Sequence, residues 1–600
     1  MCTEAVIMRP EYPRPNWQRD AFLNLNGVWQ FAIDREEKFT FADVEFDRTI
    51  NVPFAPESVL SGIGETDFLN TVWYKRSVEI PTEWHNKRIL LNFQAVDYDA
   101  TVWVNGKEVY SHRGSFTPFT VDLGQRTGNL EIVLLARTLR GKYRPAGKQS
   151  PRLNNYGCFY TRTSGIWQTV WLEAVSDCYL LRGKVTAESD GFELTLPLNC
   201  NRANWRIKAE IGKAGEVFAA AETFANAAFM AKLHLVLPEN KRIYWAPENP
   251  YLYDITITLY DENDQIADQV KSYGGWRFIT IDGYNLYLNG KKLYQKLVLD
   301  QGYYPDGIWT APSDEALKKD IELAMQAGFN GARLHQKVFE ERFLYHADQL
   351  GYLVWGEFGD WGVGLEITDR NACEMYPGAL AMTGQWIEAL QRDYNHPSII
   401  GWCGINEAHQ ALENGKPSLD LVSDWVKAVF LAAKAIDPTR PVLDASGYAH
   451  RMYESDIYDN HDYRTNAEVA AFIKTFSIPG ICDPYCAESN VPWRGQPFFF
   501  SEIGGIAWPP EAVLEEAPTD GDGAAFGYGK KPRTEEEFFA RFEELMQIMR
   551  SDKRFCGYCY TQLTDIFQEI NGIYYFDRKS KFDAAKFKAI QDKLSMYEME

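Results

Sequence analysis

The sequence contains no uncharged apolar run of about 18 residues, the length that a membrane-spanning helix requires. Its N-terminal segment (1–10) also lacks a basic region followed by a long apolar stretch, which is the pattern of a secretory signal. We therefore expect a cytoplasmic protein that has neither a membrane segment nor a signal peptide.

Positive charge is scarce. The chain has 62 Lys and Arg against 83 Asp and Glu, which gives a net charge of −21 and a pI near 5.0. A surface that binds nucleic acid needs clustered Lys and Arg, so this composition argues against a nucleic-acid partner. We expect the excess acid to lie on solvated faces, where it favours solubility.

The ten cysteines are scattered along the chain. In a cytoplasmic protein they are reduced thiols, most of them buried as small hydrophobic residues. Two pairs have a spacing that metal or redox sites also use, namely Cys482 with Cys486 and Cys556 with Cys559. The second pair lies in an apolar run that resembles a strand, where its thiols would point to opposite faces. We therefore favour structural thiols and predict no metal and no cofactor.

Length and aromatic content point to a large enzyme. Six hundred residues exceed what one hydrophobic core can organise, and they suggest about three domains. The 18 Trp, 33 Tyr and 35 Phe supply ample packing material, and most of them are expected in the core. The same flat apolar faces also suit stacking against sugar rings.

Short alternating strands fill the first third of the chain. Ile89–Phe93 and Asp99–Val104 are examples, and Asn105-Gly106 is the dipeptide of a tight hairpin turn. Many strands without long helices predict a jelly-roll β-sandwich over 1–180. A second series of strands at sandwich spacing predicts an immunoglobulin-like β-sandwich over 181–276.

From residue 277 onwards the pattern changes to short apolar runs that alternate with amphipathic helices. The helical segments are predicted at 314–327, 340–350, 419–436 and 534–549. Strands alternating with helices over this length are typical of a parallel sheet closed into a barrel. We therefore predict a (β/α)₈ TIM barrel over 277–600.

Two glutamates end strand-like runs within the predicted barrel. They are Glu407 in Gly-Ile-Asn-Glu and Glu502 in Phe-Phe-Ser-Glu. Active sites of such barrels form where the parallel strands end, so the two side chains can face one pocket. Paired carboxylates at short separation hydrolyse glycosides, and the charge of one keeps the other protonated. The pair predicts a retaining glycosidase.

At this point the chain resembles glycoside hydrolase family two, the group of β-galactosidases, β-glucuronidases and β-mannosidases. The resemblance covers nearly the whole length, and it rests on short motifs that occur in the family's order. These motifs are Leu25–Phe31, Val102–Gly106, Thr163–Glu173, Trp245–Tyr253, Arg333–His335, Asn406–Glu407, Ser501–Gly504 and Thr561–Asp565.

The resemblance implies roles for five residues. Glu407 would be the acid/base and Glu502 the nucleophile. Asn406 resembles the family residue that hydrogen-bonds the sugar 2-hydroxyl. Arg333 resembles the arginine that holds the nucleophile ionised, and Tyr463 would lie beside that nucleophile.

Five further residues are candidates for substrate binding. His335 departs from the Arg-x-Ser-His pattern of many family members, so a packed histidine is an alternative. Lys337 is expected at the pocket rim, where a cation could meet a charged substrate, or else in a solvated loop. Asp300 would bind a sugar hydroxyl, and Trp508 and Tyr560 would stack on sugar rings.

The substrate is less well defined. The family's β-glucuronidases clamp the substrate carboxylate with Asn-x-Lys after the eighth strand, and here Asn571 is followed by Ile573 at the lysine position. We therefore favour an exo-β-glycosidase of the β-galactosidase type. A β-hexuronidase (galacturonidase or glucuronidase) that uses Arg333 or Lys337, and a galactofuranosidase or arabinofuranosidase, are alternatives.

Two further interpretations assign the chain to another class of protein or to another mode of action. A catalytically silent carbohydrate-binding protein is disfavoured by the intact pair Glu407 and Glu502. An endo-acting glycanase is disfavoured because long loops, such as 361–377 and 508–532, would close the pocket. The expected partner is a small-molecule or oligosaccharide glycoside, and a homo-oligomer stays open.

Overall fold

The computed structural model describes residues 8–138, 144–225, 229–363, 372–408, 411–413, 416–447, 449–474, 490–509 and 524–599. Three structural units follow one another along the chain, namely two β-sandwiches and then a barrel. Within these described ranges, no helix has both the length and the apolar character needed to cross a bilayer.

The first unit is a sandwich of antiparallel strands. Its strands are β1 (Phe22–Asn24), β2 (Gly27–Ile33), β3 (Arg48–Val52), β4 (Thr71–Glu79), β5 (Arg88–Phe93), β6 (Val96–Asp97), β7 (Asp99–Val104), β8 (Lys107–Arg113), β9 (Phe119–Gln125), β10 (Asn129–Arg137), β11 (Gly165–Ile166) and β12 (Val170–Val175). One sheet has the order β1-β12-β5-β9 and the other β3-β2-β4-β10-β7-β8. Asn105 and Gly106 join β7 to β8 with positive φ values of 49° and 79°, as a tight hairpin requires. The predicted sandwich class is confirmed.

The second unit is a smaller sandwich. Its strands are β13 (Lys184–Glu188), β14 (Gly191–Pro197), β15 (Arg206–Lys213), β16 (Glu216–Phe224), β17 (Met230–Val236), β18 (Trp245–Ala246), β19 (Asn249–Pro250), β20 (Tyr253–Tyr260) and β21 (Ile266–Gly274). The sheets β13-β14-β17 and β16-β15-β20-β21 face each other. Alternate residues of β20, including Ile255, Ile257 and Leu259, are buried between them. This alternation is what one buried sheet face demands.

The third unit is the parallel barrel, preceded by a short meander. The meander contains β22 (Ile279–Asp282), β23 (Asn285–Leu288) and β24 (Lys291–Lys292), and the barrel contains β25 (Gln295–Asp300), β26 (Gly331–Leu334), β27 (Leu353–Glu357), β28 (Ile399–Cys403), β31 (Val442–Leu443), β32 (Tyr458–Asp462), β33 (Phe498–Gly504) and β34 (Phe555–Thr561). A hairpin of β29 (Ala411–Glu413) and β30 (Lys416–Ser418) follows β28. The eight barrel strands pair in the order β31-β28-β27-β26-β25-β34-β33-β32, and every pair is parallel. Their carboxyl ends therefore meet at one face, as predicted for a TIM barrel.

Helices surround the barrel strands. They are α1 (Asp314–Gln326), α2 (Glu341–Leu350), α3 (Ala372–Asp393), α4 (Leu419–Ile436), α5 (Asn466–Lys474), α6 (Glu535–Met549), α7 (Ala584–Gln591) and α8 (Met596–Met599). The side chain of Ser313 caps α1, and that of Thr534 caps α6, each by accepting a backbone N–H three residues later. The four helices expected from the sequence lie within about one residue of their predicted bounds.

The cysteines of the last barrel strand are buried. Cys556 and Cys559 both lie in β34 as free thiols, and burial raises the pKa of Cys556 to about 12 and that of Cys559 further. Such thiols are unreactive packing residues, because the thiolate is the nucleophile and metal ligand. Cys482 and Cys486, the other pair considered above, lie outside the described residues.

A buried ion-pair cluster joins the two sandwiches. Arg19 donates to Glu173 of β12 at 2.9 Å and makes two bonds, of 2.8 and 2.9 Å, to Asp268 of β21. Glu173 is fully buried and also accepts from Arg14, Tyr12 and the Trp171 indole. Burial would raise the pKa of Glu173, but Arg14 and Arg19 outweigh it and lower that pKa to about 2. The carboxylate therefore stays ionised inside the junction.

We predict that Glu173→Gln lowers the melting temperature at pH 7. The amide leaves Arg14 without its carboxylate and Arg19 with Asp268 alone, and breaking a buried pair in this way costs about 3 kcal/mol. Because the folded pKa is below the unfolded value, this stability is present above pH 4.5 and is lost as pH falls towards 2. The difference between wild type and variant, measured by thermal unfolding, should therefore narrow below pH 4.5. Glu222→Gln, which removes an exposed surface pair with Arg206, is the control and should change little. Equal melting temperatures for wild type and Glu173→Gln would contradict this assignment.

Candidate active site

The two glutamates predicted as a catalytic pair meet at the carboxyl face of the barrel. Glu407 follows β28, and Glu502 lies within β33. One carboxylate oxygen of each lies within 4.8 Å of the other. Such close oxygens fit the short spacing of retaining glycosidases, whose carboxyl groups are about 5–5.5 Å apart and in which one attacks the sugar directly. An inverting pair stands further apart to admit a water molecule.

Backbone strain helps to position Glu407. Its φ is 53°, in the left-handed region that non-glycine residues seldom adopt and that costs about 1 kcal/mol or more. The Glu407 N–H donates to the carbonyl of Ser446 at 2.7 Å, and Asn406 forms a bridge with the same residue. The loop after β31 thus holds the strained turn in place.

Glu502 is 5% exposed and accepts hydrogen bonds on both oxygens. The Arg333 guanidinium donates to Oε1 at 3.1 Å, and the Tyr463 hydroxyl donates to Oε2 at 2.6 Å. Tyr463 is also 2.8 Å from the Thr561 hydroxyl and stacks on the Tyr528 ring at 3.9 Å between centroids. These two donors fix the direction of the Glu502 carboxylate.

Arg333 connects three side chains at the bottom of the site. Besides Glu502, it donates to Glu357 at 2.6 Å and to the side-chain oxygen of Asn406 at 2.5 Å. Burial opposes its charge, but the negative charge of Glu357 and Glu502 outweighs burial and raises the pKa of Arg333 well above its usual range. A permanent cation therefore lies beneath the pair of glutamates.

His461 lies between the two carboxylates. Its Nδ1 is 2.7 Å from Glu407, and its Nε2 is 3.0 Å from the Ser446 hydroxyl and 3.5 Å from Glu502. The contact follows from the sheet, since His461 of β32 pairs with Glu502 of β33. Burial alone would lower the pKa of His461, but the charges of Glu502 and Glu407 raise it.

His335 is a neutral neighbour of the pair. Its Nδ1 is 2.9 Å from Glu357, and burial, together with the nearby cations Lys148 and Arg333, lowers the pKa of His335 well below its usual range. A neutral imidazole beside a carboxylate carries its proton on the nitrogen that faces it. Nε2 of His335 is then an acceptor, 4.0 Å from Glu502 and on the pocket wall.

Asn406 offers an unused donor. Its oxygen is occupied by Arg333, and its backbone N–H donates to Asp360 at 3.1 Å. Its buried side-chain nitrogen has no hydrogen-bond partner within the part of the chain that the structure describes. A buried amide without a partner costs free energy, so this nitrogen is suited to a ligand acceptor.

The described residues enclose a pocket of about 190 Å³ around the two glutamates. This volume is below the ~300–1,000 Å³ of sites for drug-sized ligands, so it suits one sugar ring. The pocket is lined by Lys148, Cys158, Leu299, His335, Trp361, Glu407, Tyr463, Glu502, Tyr528, Thr561 and Glu569. A larger hollow of about 340 Å³ lies between the second sandwich and the barrel, where Glu188 is the one carboxylate in its lining. It lacks paired acids, so the smaller pocket is the candidate active site.

Six of the eight predicted substrate-binding residues are not in the pocket lining. Arg333 and Asn406 lie behind it, where Arg333 contacts Glu502 and Asn406. The other four lie elsewhere. Asp300 accepts from Gly302 N–H, while burial and Asp320 raise its pKa to about 7. Lys337 is 3% exposed rather than at the rim, and its ammonium donates to the carbonyls of Gly302 and Trp309 at 2.6 Å.

The two predicted aromatic platforms pack elsewhere. Tyr560 is fully buried against Phe542, outside the pocket, and its hydroxyl accepts from the Ile506 N–H. Trp508 packs on Phe538 and Phe582. In β25 the pocket is lined by Leu299, which precedes Asp300, and in β34 it is lined by Thr561, which follows Tyr560. Alternation of side chains explains this, because a shift of one residue reverses the direction.

Several pocket residues were not anticipated as site residues. Tyr528 and Trp361 lie in loops whose lengths were noted but whose side chains carry no local signal. Glu569 comes from the segment after β34, and it accepts from the Tyr160 hydroxyl and from Asn571 at 3.0 Å. Lys148 and Cys158 come from the first sandwich, and nothing in the barrel sequence points to them.

Glu407, His461 and Glu502 form the one group of described residues whose donor atoms are close enough to hold a metal ion. His461 already hydrogen-bonds Glu407, and Arg333 already hydrogen-bonds Glu502. A second cation would therefore compete with a guanidinium that is fixed by three acceptors. The arrangement is suited to acid–base chemistry, and the absence of a metal stays a prediction.

A TIM barrel with two closely spaced glutamates at its carboxyl face defines a glycoside hydrolase. Comparison with known proteins identifies the family. The profile "Glycosyl hydrolases family 2, sugar binding domain" matches residues 22–172, "Glycosyl hydrolases family 2" matches 184–277, and "Glycosyl hydrolases family 2, TIM barrel domain" matches 279–478. The chain belongs to glycosyl hydrolase family 2, whose members act by double displacement with retention.

Similar proteins include curated relatives and solved structures. A β-glucuronidase of Paenibacillus borealis is 24% identical over 72% of this chain and 74% of its own length. A β-galactosidase of Thermoanaerobacter pseudethanolicus is 25% identical over 74% of this chain, which spans only 58% of that protein. The β-galacturonidase of Eisenbergiella tayi bound to galacturonate has a TM-score of 0.72 at 21% identity, with 98% of this chain and 100% of that one covered. A Ruminococcus gnavus β-glucuronidase complex has a TM-score of 0.75 at 20% identity, over 98% and 100% of the two chains. These structures share the fold.

We predict that Tyr463→Phe lowers kcat/KM about 10- to 100-fold. The variant removes a hydroxyl that donates to an ionised carboxylate, an interaction worth about 1.5–3 kcal/mol, and each 1.4 kcal/mol is about tenfold in rate. Tyr528→Phe is the matched control, since Tyr528 stacks on the same ring but its hydroxyl makes no hydrogen bond to a described residue. Steady-state kinetics on a nitrophenyl glycoside decide the matter. Equal losses in both variants would show that the Tyr463 hydroxyl does not act on Glu502.

Proposed function

We propose that this protein is a retaining exo-β-glycosidase in which Glu502 is the nucleophile and Glu407 the acid/base. The observation that carries the proposal is the separation of 4.8 Å or less between their carboxylate oxygens at the barrel's carboxyl face. The distinct environments of the two side chains support the division of roles.

Glu502 is suited to attack. Its two oxygens accept from Arg333 and Tyr463, so the carboxyl group is oriented before substrate arrives. In the first step Glu502 forms a bond to the anomeric carbon while the glycosidic bond breaks. The product of this step is a covalent glycosyl-enzyme.

Glu407 is suited to proton transfer. It lies on the opposite side of His461 from Glu502 and makes no ion pair with Arg333 among the described contacts. In the first step its proton goes to the leaving oxygen, and in the second step it removes a proton from the water that hydrolyses the glycosyl-enzyme. Glu407 therefore regains in the second step the proton that it lost in the first.

Asn406 is suited to the sugar 2-hydroxyl. Its side-chain nitrogen is buried and unpaired beside the acid/base, and Arg333 fixes the orientation of its amide. A hydrogen bond to the 2-hydroxyl that strengthens in the transition state would favour the chemical step. This role agrees with the one that the sequence resemblance implies.

Exo action follows from the size and walls of the pocket. Its volume of about 190 Å³ suits one sugar ring, and residues of the first sandwich close one side. A chain of sugars running through the site, as an endo-acting enzyme needs, would meet this wall. Family membership together with the intact pair favours an enzyme over a silent carbohydrate-binding protein.

The sugar is either a galactoside or a hexuronide. Relatives of both kinds occur, among them β-galactosidases, β-glucuronidases and a β-galacturonidase. Ile573, at the position of the glucuronidase lysine, is 1% exposed and packs in the barrel core. Its apolar side chain can neither pair with nor hydrogen-bond a substrate carboxylate. The choice between the two sugars depends on whether another cation in the pocket can meet a carboxylate. Among the described residues that line the pocket, none favours a furanoside specifically.

We predict that Glu502→Ala and Glu407→Ala differ in their dependence on the leaving group. Glu502→Ala should lose turnover on every substrate, because no glycosyl-enzyme forms. Glu407→Ala should lose far more activity on alkyl glycosides than on dinitrophenyl glycosides, because only poor leaving groups need a proton. Azide should restore activity of Glu407→Ala by attacking the glycosyl-enzyme without a base.

Steady-state kinetics over a series of leaving groups measure this difference. The control is Glu543→Ala, since Glu543 lies on the surface of α6 in an ion pair with Lys593. If both site variants lost the same factor on every leaving group, and azide rescued neither, the assigned roles would be wrong.

A further inference from the structure

The pocket contains one cation that the mechanism above does not use. Lys148 is the only Lys or Arg among the described residues that line it, and the residue is only 7% exposed. The pocket's histidine, His335, is neutral because burial holds its pKa well below the usual range. Lys148 therefore sets the positive end of the cavity.

The Lys148 ammonium has no anionic partner in the described part of the chain. It makes no side-chain hydrogen bond there and has no carboxylate within 4.0 Å. Its nearest described partner is the Trp361 ring, with the nitrogen 5.2 Å from the ring centroid. The carboxylates that stabilise its charge act over a longer distance, so the position next to the ammonium is left for a ligand anion.

The segment that carries Lys148 is fixed from two sides. On the barrel side, backbone N–H groups of Arg144, Ala146 and Gly147 donate to carbonyls in the loop after β27, at 2.8–3.2 Å. On the sandwich side, Arg144 pairs with Asp97 at 2.9 Å. The lysine thus enters the barrel's pocket on a segment that both domains hold.

Gly147 allows this close approach. Its φ is 58°, and a Cβ at this position would lie 2.2 Å from the carbonyl oxygen of Gln336. Only glycine can adopt this conformation at this distance from the barrel backbone. Lys148, the next residue, is therefore placed by a backbone contact and not by a flexible loop.

Other cations near the pocket are already occupied. Arg333 donates to Glu357, Glu502 and Asn406, and Lys337 donates to two backbone carbonyls away from the cavity. Lys148 stays charged at neutral pH, because electrostatic interaction with Cys158, Glu569, Glu502 and Glu407 outweighs burial and raises the pKa of Lys148.

From this geometry we infer that Lys148 binds the carboxylate of a uronic acid, and that the protein is a β-hexuronidase whose carboxylate-binding residue comes from the first sandwich. The inference rests on the proposed function, because it names the sugar that occupies the same pocket. An ammonium that lines the cavity and lies over an aromatic ring can donate charge-assisted hydrogen bonds to a hexuronate C6 carboxylate.

An opposing explanation is that Lys148 only offsets the charge of Glu407, Glu502 and Glu569. The two roles differ in what they change. A counter-charge would act on every substrate equally and would move the pH–rate profile, because the catalytic glutamates would become harder to ionise. A carboxylate-binding residue acts on charged substrates selectively.

The test compares Lys148→Met and Lys148→Gln with wild type on nitrophenyl β-D-galacturonide, β-D-glucuronide and β-D-galactoside. Wild type should prefer at least one hexuronide. Both variants should lower the ratio of hexuronide to galactoside kcat/KM by about 100-fold or more, mainly through KM, since truncating one partner of a buried charge pair has effects of this size. Lys337→Met is the matched control, a buried lysine at the same end of the barrel that should leave this ratio within about threefold.

A binding measurement separates specificity from folding. Free galacturonate or glucuronate should raise the melting temperature of wild type, and Lys148→Gln should lose this shift. An equal loss on all three substrates with a moved pH–rate profile would overturn the inference in favour of the counter-charge. A wild type that prefers the galactoside would overturn it too, while the proposed glycosidase function would stand. A wild type inactive on all three glycosides and on further nitrophenyl glycosides would instead contradict the proposed function.

Discussion

The guanidinium of Arg333 is the contact on which the site depends. It donates to Glu502, to the side-chain oxygen of Asn406 and to Glu357. Through these bonds its own strand β26 is connected to β27, to the end of β28 and to β33. A fixed cation beneath the pair places a charged donor against the Glu502 carboxyl group. It also orients the Asn406 amide, whose nitrogen is left unpaired for a ligand. Glu357, in turn, holds His335 on the pocket wall.

The first sandwich completes what the barrel begins. The barrel alone brings together the acids and Arg333, because its parallel strands end at one face. The segment 144–148 hydrogen-bonds to the loop after β27 and supplies Lys148, and the same sandwich supplies Cys158. The buried cluster of Arg19, Glu173 and Asp268 keeps the two sandwiches together.

Much of the fold could be predicted because local signals and the global structure agree. The Asn105-Gly106 hairpin and the helices α1 and α6 carry their own turn and cap residues. Glu407 and Glu502 could be placed on one face because parallel strands all end there. Tyr560 and Asp300 were placed one residue away from the pocket-facing Thr561 and Leu299, since side-chain direction reverses at each residue of a strand. Lys148 could not be found from the sequence, because its position depends on a contact between domains.

In the proposed mechanism Glu502 forms a covalent bond to the anomeric carbon of the sugar. The most direct measurement is to incubate the protein with activated 2-deoxy-2-fluoro glycosides of galactose, galacturonate and glucuronate, which slow hydrolysis of the glycosyl-enzyme, and to map the labelled peptide by mass spectrometry. We expect one sugar per chain, attached to Glu502 and absent from Glu502→Ala. A label on Glu407 or on another residue, or steady inactivation without any covalent sugar, would contradict it.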